Sequence, residues 1–199
     1  MKVVQCDPSE PEPHLIEVAI KVFQEGGSVA HPTDTCYGLA VDIMNQAALR
    51  HLYEQKGMST DKPVSVLVRS LKEAQKYGIF SAMALRLAKE FWPGPLTLVV
   101  PRTEVVPDFL NPGVPDIGLR VIADPVANAL MEGLGGPVTT TSANAHGKPS
   151  PYKVEAISMK PDLILDVGEL VTRENPSTVL RVYGENATTL RQGGLFLEF

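Results

Sequence analysis

Apolar residues recur along this chain at two spacings, and each spacing predicts one kind of secondary structure. Apolar positions three and four residues apart predict amphipathic helices. These helices span Pro13 to Glu25, Asn45 to Gly57, Ser81 to Trp92 and Asp124 to Gly133, with shorter ones after Ser70 and over Val154–Met159. Short apolar runs bounded by proline, glycine or polar residues predict strands. One predicted strand ends at His31. Five more are Leu39–Ile43, Val64–Val68, Leu96–Val100, Ile117–Ile122 and Pro137–Thr140, and three short ones lie around Leu163, Val179 and Leu190.

The order of these elements predicts the fold class. Helices and strands interleave without strict alternation, which favours a twisted sheet of mixed parallel and antiparallel strands flanked by helices over a purely parallel sheet. The sequence shows no internal repeat, no low-complexity tract and no stretch with the composition of a linker. We therefore expect an α/β fold in which residues 1–199 form a single domain.

Charge and composition narrow the classes of function. The formal net charge of −5 argues against a protein that holds bulk nucleic acid, because such proteins carry a strongly basic face. No apolar run reaches the roughly 20 residues that a membrane-spanning helix needs, and the amino terminus lacks the pattern of a signal peptide. The two cysteines form no C-x-x-C pair and suggest no disulfide framework. We expect a reduced, cytoplasmic setting.

The histidines give little support for a metal site. His14, His31, His51 and His146 show neither H-x-x-x-H nor Cys/His ligand spacing, so we expect no structural metal. A Mg²⁺ ion that arrives with a nucleotide would leave no such pattern.

The segment His31–Leu39 is a candidate binding surface. A proline at its second position fixes φ and supplies no N–H, so regular strand pairing should stop there. If the following residues are extended, alternation places the hydroxyls of Thr33, Thr35 and Tyr37 on one side, and Gly38 allows close approach to the backbone. The alternative is a turn at a sheet edge, in which threonine serves only its preference for strands. The segment alone leaves both interpretations open.

A second run of small polar residues, Thr139–Ser150, continues from the end of another predicted strand. Hydroxyl, amide and backbone donors at a strand end can surround a phosphate or a carboxylate. The run contains Gly-Lys-Pro but is not a P-loop, because the upstream glycine is missing and proline replaces the required Ser or Thr. Ser142 and His146 suggest the nucleophile and base of a hydrolase, but no oriented third residue is evident.

Cations stand out at three positions. Arg120 falls among apolar residues of a predicted strand, where it needs a carboxylate or phosphate partner, so it is either an anion anchor or half of an internal ion pair. Lys56 and Lys62 bracket a polar loop, although a lysine at a helix end also complements the helix dipole. Residues 101–116 form a proline-rich loop of a length that is typical of functional or mobile loops.

Eight short stretches, taken in order, form a specific pattern. They are Pro32–Leu39, Lys56-Gly57, Lys62-Pro63, Trp92–Thr97, Gly118–Val121, Thr140–Asn144, Pro176–Thr178 and Leu190–Gly193. Their joint order and spacing resemble the YrdC-type family, the L-threonylcarbamoyladenylate synthases. The resemblance implies the YrdC-like fold in its short, single-domain form.

The same resemblance implies a reaction that joins L-threonine, bicarbonate and ATP into threonylcarbamoyl-AMP and releases pyrophosphate. Such a reaction needs positioning and charge stabilisation rather than a covalent nucleophile, and Lys56 and Arg120 are the residues expected to supply them. Mg²⁺ would accompany ATP and bridge its phosphates. The positions that match threonine-binding residues are Thr35, Arg120, Thr140 and Ser177, to which the hydroxyl-rich segment adds Thr33 and Tyr37. The positions that match nucleotide-binding residues are Lys56, Lys62, Asp116, Ser142, Asn144, Ser150 and Arg191.

The chain departs from the family pattern at two positions. The family commonly has Lys-x-Arg where this chain has Lys56-Gly57-Met58, so a phosphate-binding guanidinium is missing, and Lys62 replaces it only as a point charge. Some members have a histidine near the threonine where this chain has Leu67. Two alternatives therefore stay open: a non-catalytic module that binds RNA or a ribosomal partner, and carbamoyl-adenylate chemistry on another acceptor.

The resemblance also implies partners. A separate transferase would carry the threonylcarbamoyl group to tRNA to form N6-threonylcarbamoyladenosine, so tRNA binding by this chain would be weak or indirect, and no membrane partner is expected. We expect the loop 101–116 to close over the site, because closure would exclude water from a labile mixed anhydride.

Overall fold

A computed structural model of the chain describes residues 1–57, 62–145, 147–171 and 176–197. The strands are β1 (Lys2–Gln5), β2 (Val29–His31), β3 (Gly38–Ala40), β4 (Ser65–Leu67), β5 (Leu96–Pro101), β6 (Asp116–Arg120), β7 (Val138–Ser142), β8 (Leu163–Asp166), β9 (Thr178–Tyr183) and β10 (Asn186–Arg191). The α-helices are α1 (Pro13–Gln24), α2 (Gln46–Lys56), α3 (Leu71–Tyr77), α4 (Ala82–Phe91) and α5 (Pro125–Leu134). In the described ranges, no helix is long and apolar enough to cross a membrane.

The strands form one sheet in the order β1-β8-β2-β3-β7-β4-β6-β5-β9-β10. The pairs β1/β8, β2/β8, β4/β6 and β5/β9 are parallel. The pairs β2/β3, β3/β7, β4/β7, β5/β6 and β9/β10 are antiparallel. The predicted mixed sheet flanked by helices is therefore confirmed.

The two faces of this sheet are covered to different extents. Successive strand residues point to opposite faces, so Leu39 and Ala40 enter different cores. The core on one face contains Leu39 together with buried residues of α2, α3 and α4. The core on the other face contains Ala40 and Leu67 together with buried residues of α1 and α5, and in the described chain β5, β6, β9 and β10 add no residue to it. The helices α1 and α5 therefore cover only half of their face.

The predicted helix starts are confirmed by their caps. Hydrogen bonds of 2.8–3.2 Å join the cap side chains to the backbone N–H three residues later, at Asn45, Ser70, Ser81 and Asp124. The prediction of a helix over Val154–Met159 is wrong, because Val154–Ala156 forms only a single 3-10 turn. The edge strand β1 has no counterpart among the predicted strands, since a short and largely exposed strand lacks a buried apolar pattern.

His31, at the end of β2, is completely buried. Its Nδ1 lies 2.7 Å from the carbonyl oxygen of Pro32, which assigns the ring proton to Nδ1 because a carbonyl can only accept. Burial lowers the pKa of His31 to about 4. Between about pH 4 and pH 6.5 the imidazole is therefore neutral in the folded protein but protonated in an unfolded chain.

We expect His31 to weaken the fold in mild acid. Between pH 6.5 and pH 4 the unfolded chain binds a proton that the folded protein does not, so the free energy of unfolding falls by about 3 kcal/mol as the pH decreases. Urea unfolding of wild type and His31→Phe across this range measures the effect, with the exposed His14→Gln as control. The variant should lose this part of the pH dependence, and an unchanged profile in His31→Phe would contradict the assignment.

Candidate functional site

A cavity of about 450 Å³ lies on the half of the sheet face that α1 and α5 leave uncovered, and its volume suits a small-molecule ligand. Strands β3 to β7, β9 and β10 contribute to its walls, together with the segments that follow β2 and β7. The candidate residues that line it are Thr33, Thr35, Asp116, Arg120, Thr140, Ser142, Asn144, Ser150, Ser177 and Arg191. The lining does not include Tyr37, Lys56 or Lys62.

The segment after β2 is a turn and not an extended strand. The Thr33 hydroxyl accepts hydrogen bonds from the backbone N–H groups of Thr35 and Cys36, each 3.1 Å long, and donates to the carbonyl oxygen of Cys36 at 2.6 Å. This side chain therefore builds the turn, as Ser and Thr often do. The turn leaves Thr33 and Thr35 in the cavity wall.

Tyr37 is turned away from the cavity, which corrects its prediction as a substrate-binding hydroxyl. The alternation argument fails because the preceding residues are not extended. The Tyr37 hydroxyl donates to the carbonyl oxygen of Gly168 at 2.7 Å and accepts from the backbone N–H of Val167 at 3.0 Å. Its ring is completely buried, and burial raises the pKa of the phenol to about 12. Tyr37 therefore fastens the segment after β8 to the sheet.

Arg120 is the last residue of β6 and forms the internal ion pair that its sequence position allows, whereas its role as an anion anchor stays a prediction. Its Nη2 donates to Asp34 at 2.6 Å, its Nε to the carbonyl oxygen of Gly94 at 3.1 Å, and its Nη1 to the hydroxyl of Thr35 at 3.4 Å. The side chain is only 5% exposed, and burial lowers its pKa while Asp34 opposes that shift. The guanidinium is thus both half of an internal ion pair and part of the cavity lining.

A second guanidinium, that of Arg191, faces the same cavity. It donates to the carbonyl oxygen of Ser177 through Nε and Nη2, at 3.1 and 2.8 Å, and to the Ser177 hydroxyl at 3.0 Å. The Ser177 hydroxyl also lies 2.9 Å from that of Thr97. Burial and the charge of Arg120 both lower the pKa of Arg191, so two cations repel each other here. An anionic ligand between them would relieve that repulsion.

Lys56 supports the cavity from behind its wall. At the end of α2 its ammonium donates to the carbonyl oxygens of Ser142 and Asn144, at 2.7 and 3.0 Å. The residue is 5% exposed, and burial lowers the pKa of its amine to about 8. Lys56 therefore holds the end of β7 and the residues that follow it, which include Ser142 and Asn144. A lysine that only complements the helix dipole would not need these two hydrogen bonds.

The far end of the cavity carries a carboxylate. Asp116, at the start of β6, accepts a hydrogen bond from the Tyr183 hydroxyl and lies 3.6 Å from Nε of Arg181. Protein groups therefore offset the charge of Asp116, and this carboxylate repels a nucleotide less than an isolated one would.

Some lining residues were not among the predicted site residues, although three of them lie in the stretches that carry the family resemblance. They are Cys36, Thr97, Gly118, Lys148 and Arg181. Gly118 could have been found, because glycine inside a strand often marks a close approach. A Cβ there would lie 2.6 Å from the Ser65 hydroxyl oxygen. The remaining four join the site through strand pairing and turn geometry, which no local pattern encodes.

Other expectations fall outside the cavity or outside the described chain. Met58 and His146 lie outside the described residues. Leu67 is completely buried in the core beneath α1 and α5. In the ranges that the structure describes, no group of three His, Cys, Asp or Glu side chains could hold a metal ion.

The long connection between β5 and β6 is fastened rather than loose. Arg102 donates to the carbonyl oxygens of Val106 and Pro107, at 2.7 and 2.8 Å. The buried Asn111 exchanges hydrogen bonds with the backbone of Val64, at 2.8 and 2.9 Å. Closure of the whole loop over the cavity, which its length led us to expect, would have to break the hydrogen bonds between Asn111 and Val64.

Comparison with known proteins identifies the family. A family model described as "Telomere recombination", named for the Sua5, YciO and YrdC proteins, matches residues 21–193. The chain belongs to the Sua5/YciO/YrdC family. It is 36% identical to the threonylcarbamoyl-AMP synthase of Pyrococcus abyssi over 92% of its own length, but it spans only 55% of that relative. It is 31% identical to the putative threonylcarbamoyl-AMP synthase of Methanocaldococcus jannaschii, covering 92% of this chain and 88% of the relative.

Solved structures of the family have the same fold. Pyrococcus abyssi Sua5 complexed with L-threonine superposes with a TM-score of 0.89 at 32% identity, over 98% of this chain and 58% of that one. Escherichia coli YciO superposes with a TM-score of 0.86 at 27% identity, over 97% of this chain and 96% of that one. The YrdC-like fold is therefore confirmed. The chain and YciO, which is an uncharacterized protein, align over nearly the whole length of both.

Removal of the Tyr37 hydroxyl should affect stability and not the cavity. Tyr37→Phe loses the hydrogen bonds to Gly168 and Val167, so we expect the free energy of unfolding to fall by about 1–3 kcal/mol. Urea unfolding measures this change, and calorimetric titration of the same two proteins uses L-threonine, the ligand in the Pyrococcus abyssi Sua5 complex, as the probe of the cavity. An intact stability with lost threonine binding would show that the hydroxyl belongs to the site after all.

Proposed function

We propose that this chain is an L-threonylcarbamoyladenylate synthase, a nucleotidyltransferase that condenses L-threonine, bicarbonate and ATP and releases pyrophosphate. The observation that carries the proposal is the presence of two guanidinium groups, the buried one of Arg120 and the more exposed one of Arg191, in a cavity whose lining is rich in Ser and Thr. Two anionic groups, a carboxylate and a phosphate, are the ligands that such a pair favours. The relatives named threonylcarbamoyl-AMP synthase, and the L-threonine complex of a relative, support the same assignment.

In this proposal L-threonine occupies the end of the cavity at Arg120. The guanidinium binds the α-carboxylate, and neighbouring hydroxyls bind the polar groups of the substrate. These hydroxyls belong to Thr35, Thr140 and Ser177, all of which line the cavity. Thr33 acts indirectly, because its own hydroxyl is used by the turn that presents Thr35.

ATP enters as its Mg²⁺ complex and lies along the remaining wall. Arg191 and Lys62 offset charge on the phosphates, and Ser142, Asn144 and Ser150 donate hydrogen bonds. Lys56 acts by holding the carbonyl groups of Ser142 and Asn144 in place. Asp116 contacts the nucleotide chiefly through its backbone, since its carboxylate is engaged by Tyr183 and Arg181.

The chemistry needs no protein nucleophile. The threonine amine and bicarbonate form a carbamate with loss of water, and a carbamate oxygen attacks the α-phosphorus of ATP. The bond between the α-phosphorus and the bridging oxygen then breaks, and pyrophosphate leaves. Positioned cations stabilise the charge that develops on the phosphates, which is the larger part of catalysis in phosphoryl and nucleotidyl transfer.

The product requires an acceptor. A mixed anhydride of this kind is labile in water, so a separate transferase takes the threonylcarbamoyl group to tRNA, and this chain binds tRNA weakly or only indirectly. The acidic net charge of −5 supports that division of tasks. We further propose that residues 1–199 act as one domain, in the cytoplasm.

Pyrophosphate release tests this function. We expect release from ATP and Mg²⁺ to require both L-threonine and bicarbonate, with the adenylate detected by mass spectrometry. Arg120→Ala should lower kcat/KM for L-threonine by on the order of 100-fold, because it removes a buried charged hydrogen bond to the substrate. The exposed Arg50→Ala on α2 is the matched control and should leave the rate unchanged.

Other results would favour the alternatives. Absence of turnover in folded protein, together with salt-sensitive RNA binding, would replace the synthase by a non-catalytic RNA-binding module. Pyrophosphate release with another amine but not with L-threonine would indicate carbamoyl-adenylate chemistry on a different acceptor.

A further inference from the structure

Asp34 binds the guanidinium of Arg120 from outside the cavity. Its Oδ1 accepts the 2.6 Å hydrogen bond from Nη2, yet Asp34 is not part of the cavity lining. The Asp34 side chain is 27% exposed and that of Arg120 is 5% exposed. The carboxylate therefore approaches the buried guanidinium from the solvent side of the turn after β2.

The contacts divide the nitrogens of Arg120 into two groups. Nε and Nη2 are held by the carbonyl oxygen of Gly94 and the carboxylate of Asp34, at 3.1 and 2.6 Å. Nη1 carries two N–H groups and makes one long hydrogen bond, 3.4 Å, to the Thr35 hydroxyl that lines the cavity. The protein thus secures one edge of the guanidinium and leaves donor capacity on the other.

A second carboxylate, that of Asp124, interacts electrostatically with Asp34. Asp124 caps the amino terminus of α5 through a 2.8 Å hydrogen bond from the backbone N–H of Ala127. Burial and, to a smaller extent, the charge of Asp34 raise the pKa of Asp124 to about 6. The two carboxylates therefore repel each other, and Arg120 is the one cationic partner of Asp34 in the described contacts.

We propose that Asp34 is a positioning residue, which holds Arg120 by Nη2 so that Nη1 is presented to the α-carboxylate of the amino-acid substrate. The proposal rests on the proposed function and adds a residue that does not itself touch the ligand. It requires the position of the Asp34 oxygen more than its charge. Variants that separate position from charge therefore test it.

Steady-state kinetics of three Asp34 variants distinguish the effect of the position of the oxygen from the effect of its charge. Asp34→Asn keeps an oxygen at the same place without the charge, and should leave KM for L-threonine within about threefold of wild type. Asp34→Glu keeps the charge but moves it by one methylene, and Asp34→Ala removes the acceptor. Both should raise KM for L-threonine about 10-fold with kcat and the KM for ATP unchanged, because the carboxylate contact is the same in the ground and transition states. Asp108→Ala, which removes an exposed carboxylate near Arg102, is the matched control.

The kinetic outcomes that overturn the proposal are equally definite. Unchanged KM for L-threonine in Asp34→Ala and Asp34→Glu would show that Asp34 does not position Arg120. The reverse order, with Asp34→Asn impaired and Asp34→Glu normal, would show that charge and not position matters. A parallel rise of the KM values for L-threonine and ATP would also overturn it, because the effect of Asp34 would then not be specific to the amino-acid substrate.

A second measurement is independent of turnover. In ¹⁵N spectra of the ligand-free protein, we expect slow rotation of the Arg120 guanidinium in wild type and Asp34→Asn, and fast rotation in Asp34→Glu. Equally fast rotation in wild type would overturn the proposal. If wild type shows slow rotation but no threonine-dependent pyrophosphate release, the proposed function fails, while the positioning of Arg120 by Asp34 stands.

Discussion

The site depends on one constraint, which is that the buried guanidinium of Arg120 must have all its partners in place. A cation removed from water is costly unless carboxylates and carbonyls surround it. Asp34 and Thr35 come from the turn after β2, and Gly94 comes from the segment after α4. A single residue of β6 therefore connects that strand to two other parts of the chain that are far away in sequence. The cavity exists where these parts meet.

The half-covered sheet explains why the cavity is there. Helices α2, α3 and α4 cover one face, whereas α1 and α5 cover only part of the other. On the uncovered part, strand positions that would otherwise be apolar carry polar residues or glycine, as at Ser65, Gly118 and Thr140. Strand pairing then lines these residues up, since Ser65 faces Thr140 across the β4/β7 pair. The part of the sheet face that no helix covers therefore forms a polar cavity that can bind a ligand.

Local patterns predicted most of the elements and the family, but they missed β1 and did not predict every side-chain direction. Helix caps such as Asn45 and Asp124 are encoded within four residues, and the structure has them as expected. Tyr37 was misplaced, because the Thr33 hydroxyl closes a turn that reverses the alternation assumed for an extended segment. The roles of Asp34 and Lys56 depend on partners many residues away, at Arg120 and at the end of β7. No spacing rule contains that information.

The most direct test of the account is calorimetric titration of the protein with L-threonine. We predict binding of one L-threonine, loss of that binding in Arg120→Ala, and near-normal binding in Arg181→Ala. Arg181 pairs with Asp116, which is four residues from Arg120 along β6 and therefore about 13 Å away. Equal threonine binding by wild type and Arg120→Ala would contradict the account, because the buried guanidinium would then not be the carboxylate anchor.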